Sequence, residues 1–277
     1  MSILNELRRI ADSPPLRPVL LRPAVRRLGA ALLGLRFLAA AWEMDRPWMF
    51  LWSEGTRLPL AQYRVRGSDV RVVVRHDSGA RELVHEIFSQ RCYEPSEAIS
   101  AKLPESPAIL DIGANVGGFA AFALSRWPNA RLTCIEPDPE NLRALSTFVR
   151  ANPRCEVAVI AACATTSEGV VGFAAGQGSG SRIADGFPLT PAVDVMPLIR
   201  AADFVKCDIE GGEWPILTDH RLAGVGPTLL VMEYHRRFPG DRNAASEAQR
   251  CLKRAGFTVI KVMPNHWGHG IIWARRF

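Results

Sequence analysis

From Ala108 onward the chain alternates short apolar runs with stretches of helical period, and this alternation restricts the fold more than any other feature. Runs at residues 109–110, 132–135, 157–160, 204–207 and 228–232 read as strands. Strands separated by helices imply a mainly parallel sheet covered on both faces. One helix is well marked between the second and third strands. Asp138 can cap it, Pro139 suits its first turn, and Leu142, Leu145, Phe148 and Val149 form its buried stripe. Residues 244–255, closed by Gly256, give another. Two final strands, 257–263 and 270–273, are expected to form an antiparallel pair.

Four of the parallel strands end in acids: Asp111, Glu136, Asp208 and Glu233. All four are expected along the carboxyl edge of the sheet, where open parallel sheets bind ligands. The first strand runs into Asp111-Ile112-Gly113-Ala114-Asn115-Val116-Gly117, with an apolar helix beginning near Phe119. Glycine at 113 and 117 allows a tight turn and close approach of a ligand to the main chain. Glu136 follows Gly113 by 23 residues, the place from which a carboxylate accepts two hydrogen bonds from a ribose diol. A pyrophosphate binder would need Gly-x-Gly-x-x-Gly, whereas Asn115 stands at the middle glycine here and an acid precedes the loop. An acidic loop suits a cationic nucleoside. S-adenosylmethionine, with its sulfonium and ammonium and no phosphate, is the expected ligand, attracted by Asp111 and Asp208.

Asp111-Ile-Gly-Ala-Asn-Val-Gly117, Glu136-Pro-Asp-Pro139 and Lys206-Cys-Asp-Ile-Glu-Gly-Gly-Glu-Trp214 resemble motifs of the FkbM family of S-adenosylmethionine-dependent methyltransferases. Glu86-Ile-Phe88 with Tyr93-Glu94, Val193-Asp194 and Glu233-Tyr-His235 are similar to further segments of it. The resemblance runs from about residue 70 to the C-terminus. It implies a class I (Rossmann-like) methyltransferase fold and O-methylation of a hydroxyl on a sugar, glycolipid or polyketide-like metabolite, in natural product or glycan biosynthesis. The expected cofactor site comprises Asp111, Gly113, Ala114, Asn115, Gly117, Glu136, Pro137 and Asp208. Two positions depart from the family pattern. Lys206-Cys207 replaces the more usual Lys-Ile, and the third strand ends in Ala161-Ala162-Cys163, without an acid or amide for the adenine amino group.

Methyl transfer needs a base for the acceptor hydroxyl. The candidates are Asp208, Glu210, Glu213, Glu233 and His235, and those expected to act are Asp208, Glu233 and His235, with His235 as base because imidazole titrates near neutrality. Glu213 has a simpler reading as a first-turn helix charge. A magnesium or manganese ion held by these carboxylates and the imidazole is an alternative, disfavoured because the same carboxylates are wanted by the cationic cofactor. His266 and His269 fall in the terminal hairpin loop, where substrate contact is open but surface polarity is the simpler reading. Residues 176–181, Gly-Gln-Gly-Ser-Gly-Ser, read as a loop that either covers the site or is a plain turn.

The N-terminal part obeys different rules. Residues 1–75 carry 13 arginines against 6 acids, whereas the rest of the 277-residue chain is nearly neutral. A helix is expected over 24–42, with Val25, Leu28, Leu32, Leu35, Ala39 and Trp42 in one stripe. Its longest uncharged run is too short to cross a bilayer, and a secretory signal fits poorly behind four prolines. Such a basic helix suits a membrane surface or a docked partner, although packing on its own domain or in a homodimer is the simpler expectation. A hairpin is expected over 62–75, turning at Gly67-Ser68-Asp69, then a short helix over 82–89. The organisation expected is a basic helical segment, 1–60, ahead of a methyltransferase domain, 61–277. Six scattered cysteines without a Cys-x-x-Cys pair indicate a cytoplasmic protein, peripheral to a membrane if the helix binds one. Nucleic-acid methylation is the alternative that the arginines keep open, but Asp-Ile-Glu-Gly at 208–211 lacks an aromatic to stack on a base, so no nucleic acid is expected. A non-catalytic scaffold with a vestigial cofactor fold is the remaining alternative.

Overall fold

The computed structural model describes residues 34–77, 83–176, 181–224, 226–227, 229–265 and 268–276. The chain divides into two compact units after Cys92. Among the described residues no helix is long and apolar enough to cross a membrane.

In the first unit, residues 34–42 are helical and the helix Pro47–Thr56 follows; 24–33 lie outside the described residues. The expected stripe is not what the first helix buries. Ala40 and Ala41 turn inward, whereas Leu35 and Trp42 are 61% and 64% exposed. The small alanines admit close backbone approach. Trp42 is instead covered on one face by the Arg66 guanidinium, 5.0 Å from its ring centre, while Arg66 also donates to the Trp42 and Met44 carbonyls. Trp48 and Trp52, one turn apart on the second helix, are 76% and 62% exposed. Only Phe50 of that aromatic group enters the core, against Tyr63 and His76. The expected hairpin forms from β1 (Ala61–Arg64) and β2 (Arg71–Val74), with Gly67 left-handed in the turn. The short helix expected over 82–89 is π-helical over His85–Ser89, closed by a Gln90 N–H to His85 carbonyl bond of 2.8 Å that buries Ile87 and Phe88.

The second unit is built on a seven-stranded sheet. Its strands are β3 (Ala108–Ile112), β4 (Arg131–Ile135), β5 (Glu156–Ile160), β10 (Phe204–Cys207), β11 (Leu229–Tyr234), β12 (Thr258–Pro264) and β13 (Gly270–Arg275), in the order β12-β13-β11-β10-β3-β4-β5. The five strands from β11 to β5 are parallel, and β13 inserts antiparallel between β11 and β12. Winding therefore reverses between β3 and β10, the switch point at which open sheets leave a crevice. The Gly118–Arg126 helix is buried from Gly118 through Leu124, consistent with its Ala- and Phe-rich sequence. Helix Pro139–Ala151 starts as expected: Asp138 Oδ1 accepts from the Glu140 N–H at 2.8 Å, and Leu145 and Phe148 face inward. Helix Ala244–Arg254 ends at Gly256, which is left-handed (φ +87°).

A second sheet has no counterpart in the expected elements. It comprises β6 (Cys163–Thr165), β7 (Gly169–Ala174), β8 (Arg182–Ile183) and β9 (Leu189–Asp194), ordered β6-β9-β7-β8. Gly172 interrupts β7 and Pro191 interrupts β9, so its two longest strands carry little continuous apolar signal.

Candidate active site

The loop after β3 is fixed by backbone conformation. Gly113, Asn115 and Gly117 are all left-handed, at φ +81°, +51° and +90°. A Cβ on Gly113 would collide with the Asp208 carbonyl oxygen, so only glycine lets β3 and β10 close at this point. Asparagine tolerates left-handed backbone better than most residues, which explains Asn115 where a dinucleotide loop has glycine. The Gly113 and Ala114 N–H groups both donate to the Ile135 carbonyl, at 3.0 and 2.9 Å, tying the loop to the end of β4.

Beneath the loop lies Lys206, a buried lysine in the middle of β10. Its ammonium donates to the Gly113 carbonyl at 2.7 Å and stands 3.1 Å from Asp111 Oδ1. Burial alone would lower the Lys206 pKa, but the charges of Asp111 and Asp208 outweigh it and hold the pKa above its ordinary value. Asp111 is fully buried. Its charge is thus directed first at Lys206, which lessens the attraction for a cationic ligand expected of it.

Glu136, just past β4, is also buried. Its Oε1 accepts from the Asp138 N–H at 2.9 Å and the Asn141 amide at 3.3 Å, and its Oε2 from the Asn115 N–H at 2.8 Å. Burial pushes the carboxyl above the usual range, and these three donors pull it part of the way back. An ionised carboxylate has about four acceptor positions, which leaves one on Oε2 for an incoming hydroxyl. The residues therefore fit a ribose, through one strong bond where the sequence pointed to two. Cys163, at the start of β6, has its thiol pushed up to about 11 by burial and by the nearby Glu136 charge, so it stays neutral. The Asp138 Oδ2 accepts from the Gly176 N–H at 2.8 Å and the Ser181 hydroxyl at 3.4 Å, so both ends of the expected 176–181 loop attach beside Glu136; 177–180 lie outside the described residues.

Past β10 the chain turns through Glu210 (φ +51°) and Gly211 (φ +100°) into the helix Glu213–Thr218. Glu213 is completely buried, and more than a helix-start charge. One oxygen accepts from the Gly211 N–H at 2.9 Å and the other from the His235 N–H at 2.6 Å, joining the ends of β10 and β11. The Trp214 indole adds a bond to the His235 carbonyl at 2.9 Å. Asp208, Glu210 and His235 each bring a ligand atom within 4.8 Å of the others. His235 Nδ1 is 3.2 Å from Glu213 Oε1, and its Nε2 is 3.3 Å from Glu210 Oε2 and 3.9 Å from Glu233 Oε1. Burial works against a charged ring here, yet Glu210 and Glu213 override it and hold the pKa at about 11. The neutral base expected of His235 is therefore an imidazolium. His269 lies against it, its ring tilted by 59° with centres 4.8 Å apart, its own pKa lowered by burial and by His235.

Residues 111–259 match the model of the methyltransferase FkbM domain, more than half of the chain. The chain belongs to the FkbM methyltransferase family. At the level of the family this is S-adenosylmethionine-dependent methyl transfer. The methyltransferase sdnD of Sordaria araneosa is 34% identical over 73 residues, 26% of this chain and 26% of that protein. The chain thus matches about a quarter of the length of this curated relative. Among solved structures, an FkbM methyltransferase from Methylobacillus flagellatus KT aligns at 16% identity and a TM-score of 0.43, over 90% of this chain and 59% of that one. A fibrillarin from Aeropyrum pernix, solved with natively bound S-adenosyl-L-methionine, aligns at 16% identity and 0.40, over 78% and 94%.

Two residues of this site escaped the sequence reading. Lys206 had a signal, a lone charge within an apolar strand, but its partners lie beyond local sequence. Glu213 reads in the sequence as a helix-start charge, because nothing local announces that His235 lies beside it.

Proposed function

We propose that this protein is an S-adenosylmethionine-dependent O-methyltransferase acting on a hydroxyl of a sugar, glycolipid or polyketide-like metabolite. The observation that carries the reading is the junction of Gly113 with Asp208, where the loop next to Glu136 adjoins a carboxylate cluster suited to an acceptor hydroxyl. S-adenosylmethionine, when bound, supplies an electrophilic methyl carbon; transfer forms the acceptor O–C bond, breaks S–C and leaves a neutral thioether. Glu136 holds the ribose, and Gly113, Ala114 and Asn115 set the main chain beside it. Alignment of the two reactants contributes at most about 7–11 kcal/mol to lowering the barrier. Both nitrogens of His235 face carboxylates, so the ring donates rather than accepts. The acceptor proton accordingly goes to Glu233, the last residue but one of β11, a step worth about 10² to 10⁴ in rate.

Among the three acceptor classes, exposed Trp42, Trp48 and Trp52 favour the glycolipid. Tryptophan is at home in the membrane interface, and the arginine-rich N-terminal segment suits anionic headgroups. All six cysteines are free, which agrees with a cytoplasmic, membrane-peripheral enzyme. The test is methyl transfer from isotopically labelled S-adenosylmethionine to sugar, glycolipid and polyketide-like acceptors, read by mass spectrometry. Labelled product lost in Asp208→Asn supports the reading, and label on RNA or DNA alone would replace it with nucleic-acid methylation.

A further inference from the structure

The geometry points to a divalent-cation site formed by Asp208, Glu210 and His235, taking an ion of the Mg2+ or Mn2+ class at the acceptor side of the cofactor crevice. It deepens the methyl-transfer reading and depends on it for the ion's role, although not for the binding itself.

The donor set has the right chemistry. Two carboxylates and one imidazole from the ends of β10 and β11 face one another, every donor atom within 4.8 Å of the other two. Two ligands on one ion at about 2.1 Å stand no more than about 4.2 Å apart, so small side-chain rotations close the set. Two oxygens with one nitrogen suit Mn2+ somewhat better than Mg2+, with water completing either shell.

A second observation concerns the histidine. Glu213, completely buried, sits 3.2 Å from Nδ1 and also accepts the His235 N–H. A carboxylate behind a ring nitrogen fixes the tautomer and aims the other nitrogen outward, which is how metal-binding imidazoles are held. Here the nitrogen so aimed is Nε2, which faces Glu210, and the proton it carries in the unliganded site leaves when an ion binds.

Charge supplies the third. Asp208, Glu210, Glu213 and Glu233 surround a single imidazole. Lys206 offsets Asp208 only in part, because its ammonium donates to the Gly113 carbonyl and stands against Asp111. A sulfonium adds one positive charge, and a divalent ion offsets more of the negative charge that remains. With the ion in place, an acceptor hydroxyl beside Asp208 gives up its proton more readily, and Glu233, outside the ligand set, is there to receive it.

The test uses the full-length protein stripped with chelator and titrated with Mn2+ alone, read by calorimetry and by the loss of the free-Mn2+ paramagnetic resonance signal. One ion per chain is expected, with affinity at least tenfold weaker in Glu210→Gln and in Asp208→Asn, each checked for fold by circular dichroism. No binding up to millimolar Mn2+, or binding unchanged in both folded variants, overturns the site. A parallel titration with S-adenosylhomocysteine separates the two readings. Mn2+ binding without it would leave the cation site standing and remove the methyltransferase reading, and the reverse would remove only the cation.

Discussion

The carboxyl edge of the sheet has two halves that handle charge in opposite ways. On the β3–β4 side each buried ionic group has its counterpart: Asp111 faces Lys206, Lys206 also serves the Gly113 carbonyl, and Glu136 accepts three donors. On the β10–β11 side several carboxylates share one histidine, and Glu210 sits in left-handed backbone. The first half is finished before any ligand arrives and keeps one acceptor position for it. The second half gathers Glu210, Glu213 and Glu233 around one imidazole, a concentration of negative charge that a cationic ligand would lower. Preorganisation and unbalanced charge thus sit side by side, divided at the contact between Gly113 and Asp208.

If the first half is balanced, removing one partner should be expensive. Lys206→Met leaves the Asp111 carboxylate buried and alone, and breaking such a pair costs about 3–5 kcal/mol. The midpoint of urea denaturation should fall accordingly. The double variant Asp111→Asn, Lys206→Met should recover part of the loss, since no uncompensated charge remains. A single variant as stable as the parent would show that the two halves do not differ in this respect.

Next in size is the ligand position on Glu136. Glu136→Ala should weaken S-adenosylmethionine binding by about 1.5–3 kcal/mol, the range for a hydrogen bond to a charged group. Part of that effect is indirect, because Asn115 and Asp138 lose their acceptor as well. Glu136→Gln retains an acceptor oxygen and should lose less. Calorimetry resolves the two, and equal affinity in both variants and parent would take Glu136 out of the site.

How far these halves can be read in the sequence follows from how local their causes are. The strands of the main sheet, the Asp138 cap and the tight turn at Gly113 depend on neighbouring residues, and each appears where it was expected. The partners of Lys206 and Glu213 depend on chain segments brought together by folding: 93 residues separate Lys206 from Gly113, and 22 separate His235 from Glu213. That is why Asp111 looked available to a ligand and His235 looked like a neutral base. Burial and neighbouring carboxylates decide both, and neither can be counted along one strand. The β6–β9 sheet was hidden for a different reason. Its two longest strands are interrupted by Gly172 and Pro191, so they lack the continuous apolar run that marked the others.

The acceptor half should show itself in rate before stability. Asp208→Asn keeps the size of the side chain and removes its charge, and should lower methyl transfer at least about tenfold, or about 1.4 kcal/mol in barrier, with the fold retained. In chelator-treated protein the His235 ring signals should not titrate between about pH 5 and 8, the window in which an ordinary histidine changes charge. Its raised pKa, about 11, means the proton leaves only as pH climbs through that higher range. A normal titration near neutrality would return His235 to the role of base.

The smallest expected effect asks why the second half tolerates its own strain. Glu210 has φ +51° although Gly211 and Gly212 follow it immediately, and a left-handed L-residue costs roughly 1–2 kcal/mol. Glu210→Gly relieves that cost and one of the clustered negative charges. Against this, glycine gains unfolded-state entropy worth about 0.4–1 kcal/mol, and the partly buried ion pair to His235 is lost while Glu213 still faces the ring. The stability of Glu210→Gly in chelator should therefore lie within about 1 kcal/mol of the parent, on either side. Any advantage of the parent should grow when Mn2+ is added, because a ligand bound only to the native state adds to its stability. A large loss in chelator would mean that Glu210 is a structural member of a balanced cluster, and the contrast between the two halves would disappear. A near-neutral change with the Mn2+ increment abolished would identify the carboxylate at a strained position as one held for its ligand.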